Sequence, residues 1–521
     1  MDYKKITLFY TGLLTVFSFF YSQAQDARNI MNDSLQLYNK LLTVQEMHDD
    51  IKLMFHIHRE ANSGFYAYRT EQQVDSMYRA AALEIQAPMR VADFYKVILR
   101  LVDDEGSVHN YTIPDLSLID FLNRQQAFFP YPLIYLEGKI VFDGRSAPIP
   151  PGSQITAING VSDEQLMHAF YKYYPSDGYN RTRKLSASVD KAFGINYLLE
   201  YGLFDEYTVT YRRPGTDAEE EAVMPAVTLA ERDTNITNRY SAPVTGQLDF
   251  KTQQPYSFRM LQPSVGLLNL RWFGMVTGQE DPGFETYVHF LDSVFTVLDN
   301  NGVTNLIIDV RNNPGGADPT FEEPVMHLTD QTFKENVDAY IAFDPDSIPY
   351  MDYFWGVSTS ERLDSLSIEA GKAYLKDHFP VYRNGISKQN QKYNPTYHPK
   401  TPAFRGHLYL LINENVGSAA SHFVSLVKGY VENVTMVGVE TCGGYYVHNG
   451  HTPLVYELPH SRIKTQFSIV HVTQDAPEKE SQPEGHGIIP DYEVWPSLED
   501  FFRHKDTQLE FVLKLIEERG D

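Results

Sequence analysis

Two early stretches, DSLQLYNKLLTVQEM (33–47) and VADFYKVILRLV (91–102), repeat apolar residues three and four positions apart. That is the spacing of one helix face. Between residues 26 and 105 the only proline is Pro88, so the region 25–115 reads as a small helical domain. It runs out at DDEGSVHNYTIPD (103–115), which is polar and then extended. From about 128 to 228 the pattern becomes strand-like. YPLIYLEGKIVFDG, SQITAING and EYTVTYRR are punctuated by Gly and Pro, which predicts a β-rich domain over 120–230.

From about 264 strands and helices alternate. SVGLLNLRWF predicts a strand, FETYVHFLDSVFTVLDNN a helix, and VTNLIIDVR a strand apolar enough to be buried on both faces. LYLLINENVGSAASHFVSLVKGY (408–430) predicts a strand, a loop and a helix from about Ser418. VTMVGVE follows as a strand, and DTQLEFVLKLIEER closes the chain as an amphipathic helix. This order implies right-handed βαβ units on a largely parallel sheet, in a core domain over 250–521. The fold class is therefore α/β within an α+β multidomain chain. Residues 317–404, rich in Tyr, Phe, Asp and Pro, interrupt that core. A connection so long is an inserted lid or a surface decoration.

Composition narrows the function. The chain has 521 residues, 42% apolar and 13% aromatic, and a formal charge of −24. Such length predicts several domains. An acidic surface repels phosphate backbones, so no nucleic-acid partner is expected. Lys4 and Lys5 precede a short apolar run that ends at Ser22-Gln23-Ala24, the layout of a cleavable signal peptide over 1–24. The expected product is exported, periplasmic or secreted, and not inserted in a membrane after cleavage. Cys442 is the only cysteine, so no intramolecular disulfide forms. Nothing in the sequence fixes the oligomeric state.

Chemistry in such a sheet collects at the C-terminal ends of strands. In LIIDVRNNPGG the strand carries Asp309 and Arg311, then breaks at Pro314-Gly315-Gly316, where backbone N–H groups can turn outward. After Ile412 the second strand end runs to Gly417-Ser418-Ala419-Ala420. Ser418 is either an ordinary helix N-cap or a nucleophile at the positive end of a helix dipole. A nucleophile needs a base. No Lys lies between Lys428 and Lys464, and His109, beside acidic residues and a Gly, is the candidate. There is no HExxH, no Walker or dinucleotide loop and no evident carboxylate cage. His448 and His451 lack a third ligand nearby. Neither metal nor cofactor is expected.

Taken in order, DDEGSVHNY, PPGSQITAING, LIIDVRNNPGG, LLINENVGSAASHF, MVGVETCGG, YELP and GHGIIPDYEV resemble the tail-specific (C-terminal processing) serine peptidases. The closest likeness is to the branch related to the tricorn core protease, in exported proteins of Bacteroidetes-type bacteria. The resemblance implies a PDZ-like β domain and a crotonase-like (ClpP/crotonase-type) catalytic core. It implies Ser418 as nucleophile, with oxyanion donors on the backbone of Ala419 and of Gly315 or Gly316. The Lys of the Ser-Lys branch is missing from Thr441-Cys442-Gly443-Gly444, which implies His109 as general base. Its carboxylate would fall on Glu484, with Asp103, Asp104 and Glu105 as rivals. The implied substrate is a peptide or protein. Two other readings stay open: a non-catalytic binder on the same fold, and an esterase or amidase for small molecules.

Overall fold

The computed structural model describes residues 38–145, 147–241 and 254–520. The expected signal peptide lies outside these residues. Helix α1 (Val44–Ala61) opens the described chain. Thr43 and Glu46 exchange side-chain and backbone hydrogen bonds as a capping box that starts this helix; Tyr38 and Asn39 are also helical, and residues 33–37 of the expected helix lie outside the described residues. Leu41–Leu42 is instead a short strand. Helices α2 (Glu71–Glu84) and α3 (Val91–Glu105) pack on α1, and α3 stops at Gly106, whose φ of 72° only Gly adopts easily.

The chain then makes a three-residue strand, β1 (Tyr111–Ile113). β1 does not belong to the helical region. It pairs with Lys464–Gln466, more than three hundred residues away. His109 thus sits on a short link between the helices and a distant sheet.

Strands β2 (Leu133–Leu136), β3 (Lys139–Phe142), β4 (Gln154–Ile158), β5 (Glu206–Arg212) and β6 (Glu219–Pro225) line up in that order in an antiparallel sheet. After a two-residue strand, Val161–Ser162, which pairs back on β4, the stretch between β4 and β5 is mainly helical: α4 (Asp163–Phe170), Thr182–Ala187 and α5 (Phe193–Tyr201). Phe170, Phe193 and Tyr197 from these helices complete the core under the sheet.

The larger sheet follows. β7 (Tyr256–Gln262) and β8 (Val265–Leu270) form an antiparallel pair. Helix α6 (Pro282–Asn300) starts at an Asp281 cap with Pro at N1, and leads to β9 (Asn305–Asp309). β8 and β9 are parallel. Helix α7 (Glu322–Met326) and strand β10 (Asn336–Ile341) come next. β11 (His407–Ile412), helix α8 (Ala419–Tyr430) and β12 (Val434–Gly438) complete the βαβ pattern, and the strand order is β7-β8-β9-β11-β12 with Tyr492–Glu493 at the edge. Side chains alternate across it. Leu306, Ile308, Leu408, Leu410 and Ile412 face α6 and α8. Ile307, Tyr409 and Leu411 face the closing helix α9 (Thr507–Arg519) through Val512 and Ile516.

Residues 317–404 are not a loose loop. β10 pairs with a long hairpin strand, Lys464–Gln474, and with Ile386–Lys388. The other hairpin strand, Val447–Glu457, takes Phe354–Gly356 on its free edge. The segment is built into this seven-stranded sheet, which also receives β1. Its core includes Ile57 and Ala61 of α1. Among the described residues no helix is long and apolar enough to cross a membrane.

Candidate active site

Parallel pairing of β9 with β11 sets Asp309 opposite Leu411. The loops after both strands must therefore leave the sheet side by side. Two asparagines fasten them. Asn312 N–H donates to Asn413 Oδ1 at 2.8 Å, and Asn413 Nδ2 returns a bond to Asn312 Oδ1 at 2.8 Å. Gly417 N–H donates to the Asn313 carbonyl at 3.3 Å. Arg311 faces the other way. It binds Asp309 and Asp506 at 2.7 Å and Gln508 at 2.9 Å, anchoring the start of α9. Asp309 and Arg311 are structural.

Ser418 occupies the N-cap position of α8, but its side chain makes no capping bond. Its φ is 53° and its ψ −135°. A non-Gly residue there carries strain of order 1–3 kcal/mol. The ordinary explanation of a Ser at a helix start therefore fails at Ser418: the backbone is strained and the hydroxyl stays free of the helix. Gly315 explains part of the geometry. With φ at 105°, its missing Cβ would lie 2.7 Å from Ser418 Cβ and 2.9 Å from Ala419 N. A Cβ on Gly316 would fall on the Phe273–Gly274 backbone. Both glycines are required by close approach. The Gly315 N–H is already taken by Asn313 Oδ1 at 2.9 Å.

The link that carries His109 passes the same corner. A Cβ on Gly417 would meet Cys442 Sγ at 2.9 Å and Val108 Cγ2 at 3.9 Å, so the residues preceding His109 and Ser418 are neighbours. Asp177, on the helical stretch between β4 and β5, holds them together. Its carboxylate accepts from Val108 N–H at 2.7 Å and Gly444 N–H at 2.8 Å. Cys442 and Gly443 in turn donate their N–H groups to the Val416 carbonyl, at 3.1 and 3.3 Å. One chain of bonds so runs from the His109 link through Asp177 to the Ser418 loop. Burial lifts the Asp177 carboxyl to about 7. Nothing in Ser176-Asp177-Gly178, an ordinary turn signal, advertised this task.

His109 is 6% exposed. Burial, with His451 nearby, lowers its imidazole to about 4, so the ring is neutral at pH 7. The ring's hydrogen-bond partner is the Asn449 carbonyl, while Nδ1 has none. Glu484 is exposed and does not reach that nitrogen. Two of the acidic rivals, Asp103 and Glu105, are occupied elsewhere. Asp103 pairs with Lys184, and Glu105 accepts from Tyr78 at 2.7 Å and Asn110 at 2.7 Å and binds His58 at 2.9 Å. A second imidazole, His422, sits one turn along α8 from Ser418, but its Nε2 is held by the Glu335 carbonyl at 2.6 Å. The lysines are far from the corner. Lys428 Nζ donates to the Ile489 carbonyl at 2.6 Å, and Lys464 pairs with Glu457 at 3.7 Å. Cys442 is buried and its thiol pushed up to about 11, which makes it inert.

Residues 363–494 match peptidase family S41. The chain carries a domain of that family. It is a serine-type peptidase domain, and Ser418 with its strand-to-helix corner falls inside the matched span. The fold agrees. Mature CPAF complexed with lactacystin superposes with a TM-score of 0.59 at 16% identity, covering 91% of this chain and 97% of that one. Mature CPAF by itself gives 0.56 at 17%, covering 92% and 99%. The photosystem II D1 C-terminal processing protease gives 0.35 at 14%, covering 86% and 92%. No curated protein matches the sequence. The S41 span begins beyond His109 and the Gly315-Gly316 turn, so the fold brings those parts to the Ser418 corner from outside it.

Sequence reading missed one further grouping. Asp318, Glu322 and Glu335 bring carboxylate oxygens within 4.8 Å of one another, although no carboxylate cage was expected. The four-residue spacing of Asp318 and Glu322 was the available sign, and Glu335 joins them only through the fold.

Proposed function

We propose that this chain is an exported serine endopeptidase of the tail-specific, tricorn-core-like kind, acting through an acyl-enzyme on Ser418 with His109 as general base. The reading rests chiefly on Ser418, a strained non-Gly residue whose hydroxyl caps nothing and whose Cβ faces a glycine. Because the Asn449 carbonyl holds one ring nitrogen, we assign the base to Nδ1, the unpartnered one. Nδ1 takes the Oγ proton as Oγ bonds to the peptide carbonyl carbon. The imidazolium then gives that proton to the leaving amine as the C–N bond breaks. Water, deprotonated the same way, releases the acid. The Ala419 N–H, at the start of α8, and the Gly316 N–H hold the oxyanion, since the Gly315 N–H is occupied. In this reading Asn449, and not Glu484, orients the ring. The β domain around β2–β6 holds an extended substrate by strand addition.

The test is hydrolysis of casein against a nitrophenyl ester by the full chain and by Ser418→Ala. We expect casein cleavage in the parent and a loss of about a millionfold in kcat with Ser418→Ala. Ester cleavage without casein cleavage indicates a small-molecule hydrolase. Parental casein cleavage by Ser418→Ala rules out this nucleophile.

A further inference from the structure

The three carboxylates beside the active-site corner make a cation site. We propose that Asp318, Glu322 and Glu335 bind one hard divalent cation, Ca2+ in preference to Mg2+. Their ligand oxygens all lie within 4.8 Å of one another. Ca2+ takes several carboxylates in a flexible shell, whereas Mg2+ keeps most of its water and is seldom held by an all-protein cage. The donors are all carboxylate oxygens, which select hard cations over zinc or copper.

An acidic cluster alone would say little, but Glu322 adds a separate observation. It is 0% exposed, Tyr397 donates to its Oε1 at 3.0 Å, and its Oε2 has no hydrogen-bond partner. A buried carboxylate oxygen left without a donor is costly unless a ligand meets it. One imidazole, His451, lies beside the group, with Nε2 3.3 Å from Glu335 Oε1. The Lys400 ammonium is spent on Glu323. Asp318 is partly exposed while Glu322 and Glu335 are buried, which gives an ion an entry side.

The elements that carry these ligands also frame the proposed catalytic corner. Asp318 lies two residues beyond Gly316, and the Glu335 carbonyl holds His422 on α8. On the peptidase reading, the bound cation stiffens the oxyanion turn. Cation binding itself does not depend on that reading.

The experiment is isothermal titration of the full-length Ser418→Ala chain, stripped with EDTA, with CaCl2 and separately with MgCl2. The expected result is one Ca2+ per chain, bound more tightly than Mg2+, with a melting temperature higher by about 2–3 °C at a hundredfold excess over Kd. Glu322→Gln keeps the shape and removes the charge, and Asp318→Asn does so at the accessible edge. Each should weaken Ca2+ at least tenfold while melting like the parent in EDTA. Should Glu322→Gln not fold, Asp318→Asn carries the comparison. Failure of the chain to take up either cation below about 1 mM overturns the proposal. So does Ca2+ binding that both variants retain. Neither outcome touches the casein assay of Ser418.

Discussion

Replacing Gly315 by Ala tests the corner where it is tightest. The added Cβ would sit 2.7 Å from Ser418 Cβ and 2.9 Å from Ala419 N. Ordinary van der Waals contact begins at 3.4 Å, so Ser418 and Gly315 must separate by about 0.7 Å. The residue must also keep a φ of 105°, which L side chains rarely adopt. Backbone strain of this kind costs about 1–3 kcal/mol. A displacement approaching 1 Å costs about a hundredfold in rate, as does losing one oxyanion donor, and a hundredfold is about 2.7 kcal/mol of barrier. Gly315→Ala should thus lose about 1–3 kcal/mol of stability in urea and at least about a hundredfold in kcat. Gly302→Ala is the control. It has positive φ, 58°, but no atom within 4 Å of its Cβ, so it should lose some stability and no activity. A Gly315→Ala enzyme whose kcat lies within about threefold of the parent would refute the packing argument.

Other expectations follow from the same contacts. Asp177→Ala leaves the Val108 and Gly444 N–H groups without their acceptor, and should cost about 2–4 kcal/mol in chemical denaturation; an unchanged midpoint would show that the link is not held there. His109→Ala should abolish turnover, while Glu484→Gln, exposed and unconnected to the ring, should keep most of it; the reverse ranking would restore Glu484 as the orienting carboxylate. Burial lowers His109 to about 4, so the acid limb of kcat/KM should have its midpoint near pH 4, and a midpoint at 6.5 would show an unperturbed base. Stability has the matching sign. His109 and His422, both lowered to about 4, bind fewer protons folded than unfolded. Their contribution is present above pH 6.5 and is lost as pH falls through about 4, which a urea series from pH 7 to 4 would register.

What could be read from the sequence follows the range of the interactions that set it. The βαβ core was legible because Leu306 to Ile308 and Leu408 to Ile412 are apolar on both faces, a pattern local to each strand. The Gly315 and Ser418 loops were legible because parallel register alone brings neighbouring strand ends together. The partner loops were not. Asp177 reaches Val108 and Gly444 across long stretches of chain, and β1 pairs with a strand near residue 464, so no local spacing encodes either contact. The strands inside 317–404 are mostly three residues long, too short to show a period, and take their conformation from the hairpin they join. The start of α1 was legible but overlooked: the Thr43–Glu46 capping box begins a helix just after the short strand Leu41–Leu42.

The central claim is an activated hydroxyl at residue 418, and reaction with a fluorophosphonate followed by peptide mapping tests it most directly. The account predicts one adduct per chain, on Ser418, absent from Ser418→Ala and formed far more slowly in His109→Ala than in His422→Ala. An unlabelled parent chain, or labelling of His109→Ala at the parental rate, would contradict it.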